Sequence, residues 1–416
     1  MITRVKGTHD FLDLSLFNFI VNQAKDHLTT YHFSEIKTPI LEPLDLFKRS
    51  LGVYTDVVSK EMFLIQGQPD EQICLRPEAT ASTVRAFVEN GIQDTPWKVF
   101  TYGSMYRHER PQKGRFREFN QINIETIGSD SIAQDVQLIK MLDRFFHEKL
   151  NLNNYALLIN FLGCFEDRVM YRALLKDFLD SPQAELICAN CVERKDKNIM
   201  RVLDCKNITC QRIYMDTPLL INNLCGTCDQ EWNQLQEQLH LLSVSYAVKP
   251  NLVRGLDYYN KTVFEFTSDN LGAQSAFCGG GRYDQLISQI GGKEDQPSIG
   301  AAMGIERLIL LLEPMRDTLP LPQPPALHLI LPMGKEQIAL ALLLADTLQA
   351  ANLCTDVMVE GASIKNMMRK ANKLGAAYAL ILGDQEQENK TVTVKNMVTG
   401  TEERIAQIDL VAYLKK

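Results

Sequence analysis

Apolar positions recur at helical spacing near the start of the chain, at Phe17, Ile20, Val21, Ala24 and Leu28, and again at Ile139, Leu142, Phe146 and Leu150. Steps of three and four place each set on one stripe, so the pattern predicts two amphipathic helices. Between and beyond them it turns to runs rich in β-branched and aromatic residues. Trp97 to Tyr106, Phe119 to Ile127 and later Thr262 to Phe266 read as strands. Pro320-Leu-Pro-Gln-Pro-Pro325 interrupts everything, because neither a helix nor a central strand tolerates that proline spacing. Past it the pattern alternates as strand (Leu327 to Leu331), helix (Lys335 to Ala351), strand (Thr355 to Val359), helix (Ser363 to Leu374) and strand (Tyr378 to Leu382). Such alternation implies a mostly parallel α/β sheet. The expected organisation is a strand-rich domain at 1–319, a proline-rich linker at 320–325 and an α/β domain at 326–416.

Composition narrows the class. The 416 residues suffice for two to three domains, and 45% hydrophobic with 23% charged residues is ordinary globular usage, which excludes disordered and fibrous chains. Lys and Arg number 44 against 51 Asp and Glu, a net charge of −7, so any nucleic acid must be met by local basic patches. No run of 18 uninterrupted apolar residues exists, and the opening MITRVKGTHDFLD has no apolar signal core. The expectation is therefore no membrane partner and a cytoplasmic location.

Six of the ten cysteines, Cys188, Cys191, Cys205, Cys210, Cys225 and Cys228, crowd a segment at about 165–248 that reads as an insertion into the larger domain. Cys188-x-x-Cys191 and Cys225-x-x-Cys228 have the spacing of a four-thiolate structural zinc site, with Cys205 and Cys210 as spare donors; buried free thiols are the alternative.

The chain has no G-x-x-x-x-G-K-[ST], no G-x-G-x-x-G opening a helix after a strand, and no H-E-x-x-H, so a nucleotide would need another cradle. Five Lys/Arg residues lie between Arg107 and Arg117, in a loop joining two strands. On the return strand, period-two alternation puts Phe119, Gln121, Asn123 and Glu125 on one face and Ile122 and Ile124 on the other. A ring, two amides and a carboxylate beside arginines suit a base and a small polar ligand, although alternation alone is also that of a solvated sheet face. Glu78 and Thr80 follow Pro77 in an arrangement able to grip an ammonium group, or simply to begin a helix. The glycines of Cys278-Gly-Gly-Gly-Arg-Tyr-Asp284 permit close backbone approach or merely a tight turn. Glu306 and Arg307 interrupt an apolar run, either as a buried helix aiming one arginine inward or as a surface ion pair.

Together these segments resemble the histidyl-tRNA synthetase family. Thr38-Pro-Ile-Leu-Glu-Pro43, Tyr106-Arg-His-Glu109 through Phe119, and Gly304-Ile-Glu-Arg307 are similar in order and content to motifs 1, 2 and 3 of class II synthetases. Arg254-Gly-Leu-Asp-Tyr-Tyr259 and the triple-glycine segment resemble the histidine-specific signatures. The resemblance implies an α+β fold: an antiparallel catalytic sheet of six or seven strands flanked by helices, an inserted mostly helical domain and a C-terminal α/β anticodon-binding domain, in a homodimer. It implies ATP with Mg²⁺, L-histidine and tRNA(His) as substrates. Arg107, Arg254 and Arg307 are then the catalytic arginines. Glu78, Ala79, Thr80, Arg107, Gln121, Glu125, Arg254, Tyr258 and Tyr259 would bind histidine, and Arg107, Glu109, Arg115, Phe119 and Arg307 would bind ATP. Gln112, Lys113 and Arg117 would approach the tRNA acceptor end. Lys365, Arg369 and Lys373 form a basic stripe at i, i+4 and i+8, fit either for anticodon-stem phosphates or for plain solvation. Lys6-Gly-Thr-His-Asp10 departs from the family's usual arginine, and zinc is not something the family requires. A synthetase-like regulatory subunit of ATP phosphoribosyltransferase is the alternative; it normally lacks the C-terminal domain and has a degraded catalytic set.

Overall fold

A computed structural model of the chain describes residues 2–66 and 71–415, with only the backbone described at 273 and 274. It divides into two compact units, Met1–Leu321 and Pro322–Lys416.

The first unit is organised by one sheet. Its strands are β1 (Ser34–Glu35), β2 (Trp97–Tyr106), β3 (Glu118–Ile127), β4 (Ala156–Phe161), β5 (Ala247–Val248), β6 (Asn260–Thr267), β7 (Ala276–Arg282) and β8 (Ser298–Gly304). The spatial order is β1-β2-β3-β8-β7-β6-β4-β5. Every pair among the six inner strands is antiparallel. The sheet exceeds the six or seven strands the resemblance implied because two-residue strands β1 and β5 join its edges, each parallel to its neighbour.

Both faces of this sheet are covered. Helices Ser15–Thr30 and Ile132–Arg144 lay their apolar stripes against Ile122, Ile124 and Phe264 on one side. Helices Leu44–Leu51 and Thr80–Glu89 pack with Tyr258, Tyr259, Val263 and Tyr283 on the other. With both faces covered, all of 122–127 on β3 is buried, the polar positions included.

Four helices, Phe165–Leu179, Ala189–Lys197, Ile208–Ile213 and Gly226–Leu241, lie between β4 and β5. The segment has a small core of its own around Tyr171, Leu175, Cys191, Val202, Cys210 and Tyr214. Its last helix, however, buries Trp232, Leu235 and Leu239 in the main core.

The second unit has strands β9 (His328–Pro332), β10 (Thr355–Val357), β11 (Tyr378–Leu382), β12 (Thr391–Asn396) and β13 (Glu402–Ala406), ordered β10-β9-β11-β12-β13. The first three are parallel and the last two antiparallel, so the sheet is mixed rather than mostly parallel. The hairpin lay beyond the last strand read from sequence, although Thr391-Val-Thr-Val394 alternates and buries Val392 and Val394.

Candidate functional site

Glu125 sits two residues before the end of β3 and is 1% exposed. Its two oxygens accept hydrogen bonds from the Thr80 hydroxyl at 2.6 Å and the Tyr283 hydroxyl at 2.5 Å. Burial raises its pKa to about 8, the two hydroxyl bonds opposing that shift and Glu78 adding to it. Opposite, on β8, stands Gly300; a side chain there would overlap the Glu125 carboxylate, so this strand position has room only for hydrogen. Tyr283 was missed from sequence, although it stands in the triple-glycine segment Cys278–Asp284. Next to it, Arg282 is a structural residue: its guanidinium bonds Asp135 at 2.7 and 2.9 Å, tying β7 to helix Ile132–Arg144.

Glu78 is also buried, and its carboxylate accepts from the backbone N–H groups of Thr80 at 2.7 Å and Ala81 at 2.8 Å. It therefore caps the helix Thr80–Glu89, whose start carries partial positive charge. Ala79 is fully buried at this turn. Burial pushes the Glu78 carboxyl upward, opposed by those backbone bonds and by Arg107. The Tyr258 and Tyr259 rings are tilted by 49° with centres 4.5 Å apart, and Tyr258 meets Tyr283 edge-on at 5.7 Å. Desolvation pushes both phenols up, with the charges of Glu78 and Glu125 adding to the rise, so these rings and carboxylates share one space.

Along the same face of β3, Gln121 Oε1 and both side-chain polar atoms of Asn123 are buried without hydrogen-bond partners among the described residues. Buried polar atoms without partners cost about 1–3 kcal/mol each, so the face is incomplete as it stands. The alternation there is not that of a solvated sheet.

Beside this pocket the arginines gather. Arg107, at the end of β2, donates from Nε to the Pro77 carbonyl at 2.9 Å and lies 5.4 Å over the Phe119 ring. Arg254 pairs with Glu265 on β6, lies 5.9 Å over the Tyr259 ring, and its Nε is buried without a partner among the described residues. The missing side chain of Gly279 on β7 is what admits that guanidinium. Arg307, in the helix Ile305–Leu312, donates to the carbonyls of Gly114 at 3.1 Å and Ala276. Arg115 pairs with the buried Glu109. Burial lowers Arg307 to about 10, and the like charges of Arg115 and Arg107 add to the fall. Burial lowers Arg107 as well, with Arg254 among its repelling neighbours. Arg107 thus stands within electrostatic reach of Arg254, Arg115 and Arg307, and among the described residues Arg107 and Arg307 bond only backbone carbonyls. Such a cluster is built to receive an anion. Glu306 does not pair with Arg307; it is buried and takes three bonds from Asn120 at 2.8 to 3.0 Å, anchoring its helix to β3.

Gln112 and Lys113 are placed at a tight turn closed by Gln112 and Arg115, with Lys113 exposed and Gly114 at φ +71°. Arg117 is not free with them. Its Nε donates to the Glu109 carbonyl at 3.3 Å and its N–H to the Gly7 carbonyl at 2.7 Å, so it braces the loop. Lys365, Arg369 and Lys373 are all exposed on the helix Ile364–Lys373. The cysteines regroup: Cys188 and Cys191 lie with Cys205 and Cys210, whereas Cys225 and Cys228 lie with Cys164 and Asp167. The two C-x-x-C knuckles therefore do not form one site, because the second knuckle opens the helix that packs on the main sheet.

A family model described as histidyl-tRNA synthetase matches residues 17–308, and one described as anticodon binding domain matches 328–416. A histidine–tRNA ligase of Clostridioides difficile is 39% identical over 421 residues, covering all of both chains. One from Nitratidesulfovibrio vulgaris is 42% identical over 417 residues, covering 99% of this chain and 98% of that one. The apo crystal structure of Staphylococcus aureus histidyl-tRNA synthetase superposes with a TM-score of 0.82 at 32% identity over the full length of both.

Proposed function

The chain belongs to the histidyl-tRNA synthetase family, a class II aminoacyl-tRNA synthetase that attaches histidine to tRNA using ATP, and from that premise we propose which residues carry the reaction. The observation that carries the assignment is the cluster of Arg107, Arg115, Arg254 and Arg307 beside a buried carboxylate.

In the first half-reaction the histidine carboxylate attacks the α-phosphorus of ATP and pyrophosphate leaves in line. Arg107 and Arg254 neutralise the α-phosphate, and Arg307 with Arg115 holds the γ-phosphate, while Phe119 and Glu109 seat the adenine. Arginines already half-buried and mutually repelling bind a polyanion with little further desolvation cost, which favours the transition state. In the second half-reaction a ribose hydroxyl of the terminal adenosine attacks the carbonyl carbon of the adenylate, the new ester forms as the bond to phosphate breaks, and AMP leaves with no protein nucleophile needed. The family uses Mg²⁺ with its ATP. Among the described residues, the only groups of three or more metal-type donors are the two cysteine groups, and the nearby Glu109 and Glu265 are each held by an arginine. Mg²⁺ that arrives with its nucleotide keeps phosphate and water ligands and needs no cage of protein donors.

Glu125 reads the imidazole by accepting from a ring N–H, positioned by Thr80 and Tyr283 and walled by Tyr258 and Tyr259. Glu78, Thr80 and Gln121 take the α-ammonium; the partnerless Gln121 Oε1 supports that role. A site that leaves a buried carboxylate unpaired discriminates strongly against amino acids lacking the donor. The regulatory-subunit reading is less supported, since the full-length relatives are ligases and the four arginines and the anticodon domain are all present.

The homodimer is part of the same proposal. Leu41 and Ile65, 53 and 39% exposed, share one face of the three-stranded sheet of Leu41–Pro43, Ile73–Leu75 and Phe63–Ile65, with exposed Ile40 just before it, an apolar surface suited to a second copy. Light scattering of the eluted protein at twice the chain mass is expected. The location that goes with charging tRNA for protein synthesis is the cytoplasm; among the described residues no helix is long and apolar enough to cross a membrane.

ATP–pyrophosphate exchange with each of the twenty amino acids tests the residue assignment. Stimulation by histidine alone is expected, with exchange lost in Arg307→Ala while calorimetric histidine binding persists. Unchanged exchange in that variant would sink it.

A further inference from the structure

The inserted segment holds four sulfurs that the aminoacylation site does not use. Cys188, Cys191, Cys205 and Cys210 present Sγ atoms that all lie within 4.8 Å of one another, and Cys188 and Cys205 are 3.8 Å apart. Four zinc–sulfur bonds of about 2.3 Å in a tetrahedron put the sulfurs about 3.8 Å apart, whereas a disulfide requires about 2.05 Å. We propose that these four cysteines form a closed, structural zinc site.

The backbone around them is arranged for thiolates. Cys188 precedes the helix Ala189–Lys197 and Cys191 lies in its first turn, with the Cys191 N–H bonded to the Cys188 carbonyl at 2.8 Å. That turn aims both sulfurs at one point. The Cys188 N–H donates to Cys210 Sγ at 3.1 Å and the Asn207 N–H to Cys205 Sγ at 3.4 Å. Neutral thiols are weak acceptors, and backbone donors of this kind orient and stabilise metal-bound sulfur. Cys191 and Cys210 are fully buried in a core of few side chains, joined by short helices. A core that small is the kind that a metal completes. Four soft donors with no histidine and no open position select zinc held for structure, not for catalysis.

The second group is already accounted for. Asp167 accepts from the N–H groups of Cys225 at 2.8 Å and Cys164 at 3.2 Å, so its carboxylate serves as a helix cap, and Cys225 is exposed.

The zinc also has a place to act. Between Cys191 and Cys205, the Asn198 amide donates to Asp257 at 2.7 and 2.8 Å, and Arg201 donates to the Gly255 carbonyl at 2.8 Å. Metal at both ends of that stretch holds two props under the Arg254–Tyr259 loop. This positioning role rests on the assignment of that loop above; the metal site does not.

The test uses the full chain purified without chelator. Elemental analysis should find one zinc per chain, and X-ray absorption at the zinc edge should give four sulfurs at about 2.3 Å. Cys191→Ser and Cys210→Ser should lose the zinc, and the double variant Cys225→Ser, Cys228→Ser should keep it. Absence of zinc, three sulfurs with one oxygen, or zinc lost only from the Cys225/Cys228 variant would overturn the site. The absorption measurement needs no variant, so misfolding of a serine mutant cannot blur the answer. Chelation should raise amide exchange over 188–210 and over 254–259. A rise confined to 188–210 would leave the metal site standing and overturn its role under the loop.

Discussion

The stripe Gln121, Asn123 and Glu125 on β3 and the stripe Lys365, Arg369 and Lys373 on the helix Ile364–Lys373 are both polar faces of amphipathic elements. Sequence periodicity treats them alike. The first is walled in by a helix layer and the Tyr258–Tyr283 aromatic group, carries partnerless buried atoms and holds a carboxyl with a pKa of about 8. The second faces water along its whole length. Water already satisfies an exposed charge, so a ligand gains little from it beyond screened Coulomb attraction. A buried polar group without a partner has nothing else to bind, and the ligand that supplies the partner gains the difference.

Substitutions that break this contrast should rank accordingly. Arg254→Ala, in the buried cluster beside the β3 stripe, is expected to slow histidine-dependent pyrophosphate exchange about a hundredfold, by analogy with the loss of one preorganised donor. Glu125→Gln keeps the shape and abolishes the ionised form that accepts the ring N–H; kcat/KM for histidine should fall about 10- to 100-fold, the range of a charged hydrogen bond. Gly300→Ala drives a methyl group into that carboxylate and should cost about 1–3 kcal/mol in denaturant unfolding, with a raised KM for histidine.

The pH dependence follows from Glu125. Its folded value, about 8, lies above the ordinary 4.5, so the folded state holds a proton that the unfolded chain has released. That contribution is complete below pH 4.5 and is lost as pH rises through 8. Melting temperatures of the wild type should therefore fall from about pH 6 to about pH 9 more steeply than those of Glu125→Gln; parallel curves would contradict the burial argument. The smallest effect belongs to the exposed stripe. Alanine at Lys365, Arg369 and Lys373 together should leave pyrophosphate exchange unchanged and lower the salt slope of tRNA binding by about one for each phosphate left without its cation. A hundredfold loss of exchange there would erase the distinction between the two stripes.

Much of this was legible in the chain. Trp97–Tyr106 follows from a run rich in β-branched and aromatic residues, Glu118–Ile127 from a period of two, and the helices Ser15–Thr30 and Ile132–Arg144 from steps of three and four, because backbone geometry imposes those periods locally. The segments resembling the synthetase motifs were legible too, as ordered strings. Three things were not. Glu306 looked like a partner of Arg307 and instead anchors Asn120 on β3. Tyr283, in a glycine-rich string, reaches Glu125 across 158 positions of sequence. Cys188 and Cys191 join Cys205 and Cys210 and not the matching knuckle at Cys225, since helix Gly226–Leu241 belongs to the main core.

By itself, then, the order of residues determined the long elements, though not the short edge strands or the C-terminal hairpin, and the family, all properties that neighbours a few positions apart settle between them. The fold decided which of two similar polar faces was buried, which arginines stand close enough to repel, and which four sulfurs meet. Those outcomes depend on strands from opposite ends of the unit lying side by side, and on the loss of water between them, which no local spacing encodes.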